Sequence, residues 1–167
     1  DALAISYENV RDDFMRGVCT SDLLGKTIYA HIVDDGYAAR VESFKTYKGV
    51  TKDIVSRYAC PLVVDSNVVH GKSYMYQRGH IYKERDVVLS QSCTIGMSTI
   101  IGSKSSVGDS TLVQGSVIGR CCALGNNAVV ENACLCDNVR IEDGAQVRGA
   151  ILADNVRICK DAVIEPG

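Results

Sequence analysis

The chain has 167 residues, of which 46% are hydrophobic and 23% are charged, and its formal net charge is −2. This length suits one ordinary domain, or one domain with a fragment of a second, and the apolar content argues against disorder. The nearly neutral charge does not favour a nucleic-acid-binding surface, and we find neither an apolar run of membrane-span length nor a secretory signal pattern at the start.

Two apolar stripes predict helices in residues 1–64. The first stripe predicts a short helix over residues 8–20, and its members are Val10, Phe14 and Val18. The second predicts a helix that ends at Pro61, and its members are Val50, Ile54 and Tyr58.

Between these helices, alternating apolar residues predict a β-hairpin. Its strands are Lys26–Val33 and Tyr37–Phe44, joined by a turn at Asp34–Gly36. A helix, a hairpin and a helix are too few elements to form a self-sufficient hydrophobic core. We therefore expect residues 1–64 to be the end of a larger α/β domain. Residues 65–82 are interpreted as an irregular linker.

Aromatic side chains disappear in the second half of the chain. The eight Tyr and two Phe all lie between Tyr7 and Tyr82, and residues 83–167 contain neither an aromatic residue nor a His. A stretch of this length without one large ring does not fill an ordinary mixed core. The change in composition therefore predicts a domain boundary near residue 83.

Residues 83–167 contain a hexapeptide repeat. Isolated aliphatic residues recur in steps of six, and every third step is five from the second turn of the repeat onward. They are Leu89, Ile95, Ile101, Val107, Val113, Ile118, Leu124, Val130, Leu135, Ile141, Val147, Leu152, Ile158 and Ile164. A small or β-branched residue lies two positions before each of them. This period fits neither a helix nor a plain strand, and predicts a mainly β solenoid with a narrow triangular interior and three hexapeptides per turn.

The eight cysteines do not form a recognisable disulfide or zinc pattern. There is no Cys-x-x-Cys, and the predicted register stacks no cysteine on another. We interpret most of them as small apolar fillers in a reducing compartment. We assign no catalytic, cofactor-binding or metal-ligating residue.

Several segments resemble the epsilon-subunit family of eukaryotic translation initiation factor 2B, and the likeness covers nearly the whole chain. These segments are Tyr7–Gly17, Tyr37–Val41, Lys52–Ile54 with Arg57, Pro61-Leu62, His80–Lys83 and Ser116–Gly119. The hexapeptide half is unspecific by itself, because many enzymes share it. Two segments distinguish this family from other hexapeptide-repeat proteins: Arg-Asp-Asp-Phe at Arg11–Phe14 and Ile-Tyr-Lys at Ile81–Lys83.

The resemblance implies a layout and a function. Residues 1–64 would end a pyrophosphorylase-like (nucleotidyltransferase-like) α/β domain, and residues 83–167 would be a left-handed parallel β-helix. The domain that performs guanine-nucleotide exchange on initiation factor 2 would lie outside this chain. The resemblance therefore implies a non-catalytic, cytoplasmic assembly region that binds the gamma subunit of the factor. Ala4-Ile5 stand where the family usually has an Asn-Phe pair linked to exchange.

Three kinds of enzyme share parts of this architecture. A sugar-nucleotide pyrophosphorylase fragment would also join an α/β domain to a β-helix, but the Gly-rich nucleotide loop and the Asp-x-Gly-Thr metal segment of that family are absent. A hexapeptide acyltransferase uses a His base on the β-helix, and a carbonic-anhydrase-like enzyme uses three His ligands. The lack of His in residues 83–167 argues against both of the latter.

The best interface candidates lie in the last turns of the predicted β-helix. Arg140 and Arg157 stack one turn apart, with Glu142 nearby, and these side chains form either a charged binding ladder or a solvated corner. The last turn, near Ile164, exposes a strand edge that needs a cap or a partner.

A tyrosine-rich segment offers a further, weaker candidate for RNA stacking. Its members are Tyr74, Tyr76 and Tyr82 with Lys72, Arg78 and Lys83. We favour a linker folded over the first turn of the β-helix instead.

Overall fold

The structure, a computed structural model, describes residues 8–20, 25–34, 36–66 and 74–166. The chain forms two compact units, Asp1–Gly36 and Tyr37–Gly167. The division into residues 1–64, 65–82 and 83–167 stays a prediction. Ala4 and Ile5 lie outside the described residues.

A short helical segment opens the described part of the first unit. Asn9 caps it, and the Asn9 side chain accepts hydrogen bonds from two backbone N–H groups of the first turn. A π-helical turn at Val10–Met15 continues into α1, Arg16–Thr20, in which Val18 is buried. The helix predicted over residues 8–20 is therefore present.

The predicted hairpin is wrong. Neither Lys26–Val33 nor the described residues from Tyr37 to Ser43 form a strand, and Phe44 instead begins a helix. Ile28 and Ile32, which the alternation would place on one face, are exposed, so the alternating residues have no apolar surface against which to bury that face. An isolated two-stranded hairpin is marginal in water, so alternation without a packing surface does not suffice. Asp35, in the predicted turn, lies outside the described residues.

The second helix, α2, is Phe44–Val55, so it begins earlier than its apolar stripe indicates. Ser43 and Thr46 form a capping box: the Ser43 Oγ accepts the Thr46 N–H at 3.3 Å, and the Thr46 Oγ1 accepts the Ser43 N–H at 3.0 Å. The helix ends well before Pro61, and Arg57 adopts a left-handed φ of 66°. No helix among the described residues combines the length and apolar character needed to cross a lipid bilayer.

A three-faced parallel β-solenoid follows, and each face contains five parallel strands. Face A consists of β2 (Ile81–Lys83), β5 (Thr99–Ile101), β8 (Val117–Ile118), β11 (Cys134–Leu135) and β14 (Ile151–Leu152), with the antiparallel strand β1 (Met75–Gln77) beside β2. Face B consists of β3 (Val88–Leu89), β6 (Ser106–Val107), β9 (Ala123–Leu124), β12 (Arg140–Ile141) and β15 (Arg157–Ile158). Face C consists of β4 (Thr94–Ile95), β7 (Leu112–Gln114), β10 (Val129–Glu131), β13 (Gln146–Arg148) and β16 (Val163–Ile164).

The β-solenoid begins slightly earlier than the composition change. Residues 75–83 form a hairpin rather than an irregular segment, and its second strand, β2, is the first strand of face A. Its outward-facing Tyr82 is fully buried and donates its O–H to the Val55 carbonyl at 3.0 Å. Because this ring packs outside the prism, an aromatic residue is compatible with the first strand of face A. The repeat therefore begins at Ile81.

The strand register confirms the repeat arithmetic. On face B, Ser106 pairs with Val88, one long turn earlier, and with Ala123, one short turn later. The missing residue falls at the corner between faces C and A. Three residues adopt left-handed φ angles there, namely Gly115, Asn132 and Gly149. A tight corner of this kind favours Gly and Asn.

The interior of the prism holds aliphatic and small side chains. The predicted inward aliphatic residues from Ile101 to Ile158 are buried, while Leu89, Ile95 and Ile164 are partly buried near the ends. Small polar residues share this interior and are fully buried: Thr99, Ser105, Thr111 and Ser116. The narrow interior explains why this half of the chain lacks large rings.

The buried hydroxyl groups join successive turns. Thr111 Oγ1 donates to the Gly125 carbonyl at 2.6 Å and accepts the Ala128 N–H at 3.2 Å. The substitution Thr111→Val keeps the shape of the side chain but removes the hydroxyl group that makes both hydrogen bonds. We therefore expect the free energy of unfolding to fall by about 1 kcal/mol in urea titrations. The exposed Thr94→Val is the matched control, and an equal loss in both variants would contradict this role.

Candidate functional site

Arg140, Glu142 and Arg157 lie together on face B and at its edge. Arg140 pairs in register with Arg157 on the neighbouring strand, and both side chains are exposed. The Arg157 Nε donates to the Glu142 Oε1 at 2.7 Å, and the Lys160 N–H donates to the Glu142 Oε2 at 2.9 Å. The Arg157 hydrogen bond lowers the pKa of the Glu142 carboxyl group. These three candidates thus form a ladder in which Glu142 neutralises Arg157, while Arg140 adds a second guanidinium group.

Ile164 lies on a different face from these charged residues. It belongs to β16 on face C, is partly buried and packs against the prism core. Strand β16 pairs with β13 through Val147, and within the described ranges its other edge pairs with no strand. The structure therefore brings three of the four predicted interface residues together and places the fourth at the open end of the prism.

A buried ion pair, which the sequence analysis missed, spans two turns of the solenoid. The Arg120 Nε and Nη2 donate to the two oxygens of Glu84, each at 2.8 Å, and the Ser103 N–H also donates to the Glu84 Oε2 at 2.8 Å. The Glu84 side chain is 6% exposed and that of Arg120 is 33% exposed. These hydrogen bonds lower the pKa of Glu84 from 4.5 to about 2, against the opposing effect of burial. The repeat register places Glu84, Ser103 and Arg120 on successive turns at one corner. This stacking of opposite charges could have predicted the ion pair from the sequence.

The tyrosine-rich segment does not form a row of exposed rings. Tyr82 is fully buried, and the Tyr76 ring lies 5.4 Å from it. The Arg57 guanidinium covers the Tyr76 ring at 5.4 Å. Lys72 lies outside the described residues. The packing of Tyr82 removes the central platform that RNA stacking would require.

The other chemistry-bearing residues are dispersed. Among the described residues, no three His, Cys, Asp or Glu side chains lie close enough to hold a metal ion. His31 is exposed, His80 is partly buried, and His70 lies outside the described ranges. All eight cysteines are free thiols, and only Cys122 is fully buried. The interpretation of most cysteines as core fillers is therefore too broad, because four of the eight are exposed.

The residues that form the three faces match a known protein family. A family model described as the EIF2B subunit epsilon LbH domain, a left-handed β-helix, matches residues 78–167. The chain belongs to this family. The match begins in the turn before β2, and therefore includes all three faces.

Two curated relatives agree with the family. The translation initiation factor eIF2B subunit epsilon of Schizosaccharomyces pombe is 50% identical over 103 residues, covering 62% of this chain and 15% of the relative. The corresponding subunit of Dictyostelium discoideum is 41% identical over 96 residues, covering 58% of this chain and 14% of the relative. The matched residues of the chain therefore span about one seventh of the length of these eIF2B epsilon subunits.

Bacterial acetyltransferases are among the solved structures to which the chain is similar. GDP-perosamine N-acetyltransferase from Caulobacter crescentus is 19% identical, with a TM-score of 0.32 and coverage of 50% of each chain. The acetyltransferase domain of PglB from Neisseria gonorrhoeae is 13% identical, with a TM-score of 0.28 and coverage of 68% of this chain and 63% of that domain.

Proposed function

We propose that this region is a non-catalytic assembly segment of an eIF2B epsilon subunit, acting in the cytoplasm. Its β-helix would bind the gamma subunit of the factor, within the complex that recycles initiation factor 2 by guanine-nucleotide exchange. The exchange reaction itself would belong to a part of the subunit outside these residues.

The charged ladder on face B is the observation that carries this proposal. Arg140 and Arg157 project from adjacent strands of a flat parallel sheet, and Glu142 holds Arg157 in place. A regular row of exposed charges sets the register and the orientation of a partner better than it supplies raw affinity. Such a surface suits the side-by-side packing of elongated subunits.

A non-catalytic role fits the chemistry of the coil. Residues 83–167 contain no His, so the coil lacks the general base on which hexapeptide acyltransferases depend. The family match and both relatives name a translation factor rather than a sugar-nucleotide pyrophosphorylase.

Co-purification of the full-length subunit with the gamma subunit tests this proposal. We expect the double variant Arg140→Glu, Arg157→Glu to weaken the association at least about tenfold, because each reversal places a like charge against the partner's complementary group. The apparent Kd, measured by surface plasmon resonance at two salt concentrations, is the readout.

A matched double variant controls for the change in net charge. Arg78→Glu, Lys104→Glu alters two exposed cations that lie in turns, outside the strands of face B, and should leave the affinity unchanged. Equal affinity in all three proteins, or equal binding of the gamma subunit to an unrelated hexapeptide protein, would refute the proposed interface.

A further inference from the structure

The outer side of face A carries an unusually apolar ladder. One outward residue comes from each turn: Tyr82, Ile100, Val117, Cys134 and Ile151. Burial decreases along this ladder, because Tyr82 is fully covered and Ile100 nearly so, whereas Ile151 is 39% exposed. The outer side of face B, by contrast, ends in two arginines.

Helix α2 lies over face A and covers the ladder unevenly. Val55, at the end of the helix, is buried in one cluster with Tyr82 and Ile100. At the other end of the helix, the Tyr47 hydroxyl is still 3.8 Å from the Cys134 Sγ, and Phe44 is 79% exposed. The cover is therefore complete over the first turns and incomplete over the later ones.

A groove of about 570 Å³ remains between α2 and the later turns. We call it the α2 groove. Its apolar floor consists of Val117, Ala133, Cys134, Ala150 and Ile151. The rings of Phe44 and Tyr47 line it from the helix side. This volume is typical of a site for a ligand or a short chain segment, and exposed apolar side chains grouped in this way mark interaction sites.

The helix wall of the α2 groove is positively charged. Lys45, Lys48 and Lys52 line the groove along one side of α2, and none of them has an ion-pair partner among the described residues. On the opposite wall, the Arg148 Nε is 3.1 Å from the Glu131 Oε2, so that pair is neutral overall. Counting only residues that the structure describes, the groove thus carries three cations without an ion-pair partner.

This placement of lysines is unfavourable for the isolated helix. Lys48 and Lys52 are like charges at i, i+4, and Lys45 lies in the first turn, where the helix dipole disfavours a cation. The first turn contains no acidic residue to offset this charge. An anionic occupant of the groove would relieve both of these repulsions.

We propose that the α2 groove binds a segment of a partner protein in which carboxylate side chains alternate with apolar ones. The apolar side chains would contact the floor at Cys134 and Ile151. The carboxylates would pair with Lys45 and Lys48 at the rim. This surface is separate from the face B ladder, so the inference does not depend on the interface proposed above.

Fluorescence anisotropy tests this site with a defined probe. The probe is a short fluorescein-labelled peptide of alternating Glu and Leu, titrated with the full-length epsilon subunit and with the 167-residue chain. We expect saturable binding that weakens with added salt, because the rim contacts are exposed ion pairs. A peptide with Gln in place of Glu should bind at least about tenfold more weakly.

Two variants separate the charged rim from the apolar floor. We expect Lys45→Glu, Lys48→Glu to weaken binding of the Glu peptide at least about tenfold, whereas Arg78→Glu, Lys104→Glu leaves it unchanged. We expect Ile151→Ser, at a partly exposed position, to weaken binding of both peptides. Unchanged thermal unfolding of each variant establishes that the fold is intact.

Three outcomes would overturn this proposal. The first is the absence of peptide binding to either protein. The second is binding that neither the lysine reversal nor Ile151→Ser affects. The third is binding to the 167-residue chain but not to the full-length subunit, since the groove would then be filled from within the same subunit.

Discussion

Replacing Glu84 with Gln is expected to lower the free energy of unfolding by about 3 kcal/mol at neutral pH. The native hydrogen bonds from Arg120 and Ser103 hold the pKa of Glu84 at about 2, compared with 4.5 for an ordinary Glu. Since each pKa unit corresponds to about 1.4 kcal/mol, this depression predicts the size of the loss. Urea titration monitored by circular dichroism measures it.

The same pair predicts a specific pH dependence. The ionised Glu84 stabilises the folded state fully above pH 4.5, where the carboxyl group is ionised in both folded and unfolded chains. As the pH falls from 4.5 to about 2, the unfolded chain takes up the proton first, and this stabilisation disappears. The difference in stability between the parent chain and Glu84→Gln should therefore shrink across this interval.

A second ion pair provides the control. Glu131 and Arg148 face each other across adjacent turns, and their side chains are 31% and 40% exposed. Glu131→Gln should cost less than about 1 kcal/mol, because solvent screens exposed pairs. If Glu84→Gln costs no more than Glu131→Gln, or if its effect is independent of pH below 4.5, the buried pair is not a major source of stability.

Gly108→Ala is expected to lower the free energy of unfolding by about 2–3 kcal/mol. A Cβ atom at Gly108 would lie 2.6 Å from the Gly125 carbonyl oxygen and 2.7 Å from its carbon. These are backbone atoms of the next turn, so the clash cannot be relieved by rotation of a side chain. Stacked turns would have to separate, and the adjoining strand hydrogen bonds would lengthen. Thermal and urea unfolding of the variant measure the loss.

Gly49→Ala is the matched control, with an effect of the opposite sign. Gly49 lies inside α2, and a Cβ atom there would meet no atom within 4 Å. Because Ala is favoured over Gly in a helix interior, this change should raise stability by about 1 kcal/mol. Destabilisation of similar size in both variants would contradict the close-approach explanation for Gly108.

Local sequence patterns gave wrong or incomplete predictions where burial depends on residues elsewhere in the chain. The alternation at Lys26–Val33 satisfies the rule for a strand, yet those residues form none, because no apolar surface covers their apolar face. The α2 stripe correctly predicted a helix but not its start, which the capping box at Ser43 determines. The amino-acid sequence also contains the outward ladder on face A, since every third strand of the solenoid has an apolar residue at its outward position. Without the position of α2, however, nothing indicated that this ladder was only partly covered.

The repeat itself could be derived from the amino-acid sequence alone. A step of six residues with a periodic step of five determines which side chains point inward, which turn stacks on which, and why large rings are excluded from the prism. These properties follow from one constraint applied many times, so single exceptions do not hide it. The same register stacks Arg140 on Arg157, and the pairing of their strands confirms it.

The tertiary structure decided the contacts that join distant parts of the chain. Glu84 meets Arg120 from 36 residues away, and α2 lies over face A so that three lysines line a partly open apolar groove. The free energy of such contacts depends on which surfaces meet and how much water they exclude, and neither quantity is encoded in a local period. The absence of large rings after Tyr82 thus identified the prism, while the packing around it decided which apolar side chains of face A stay uncovered.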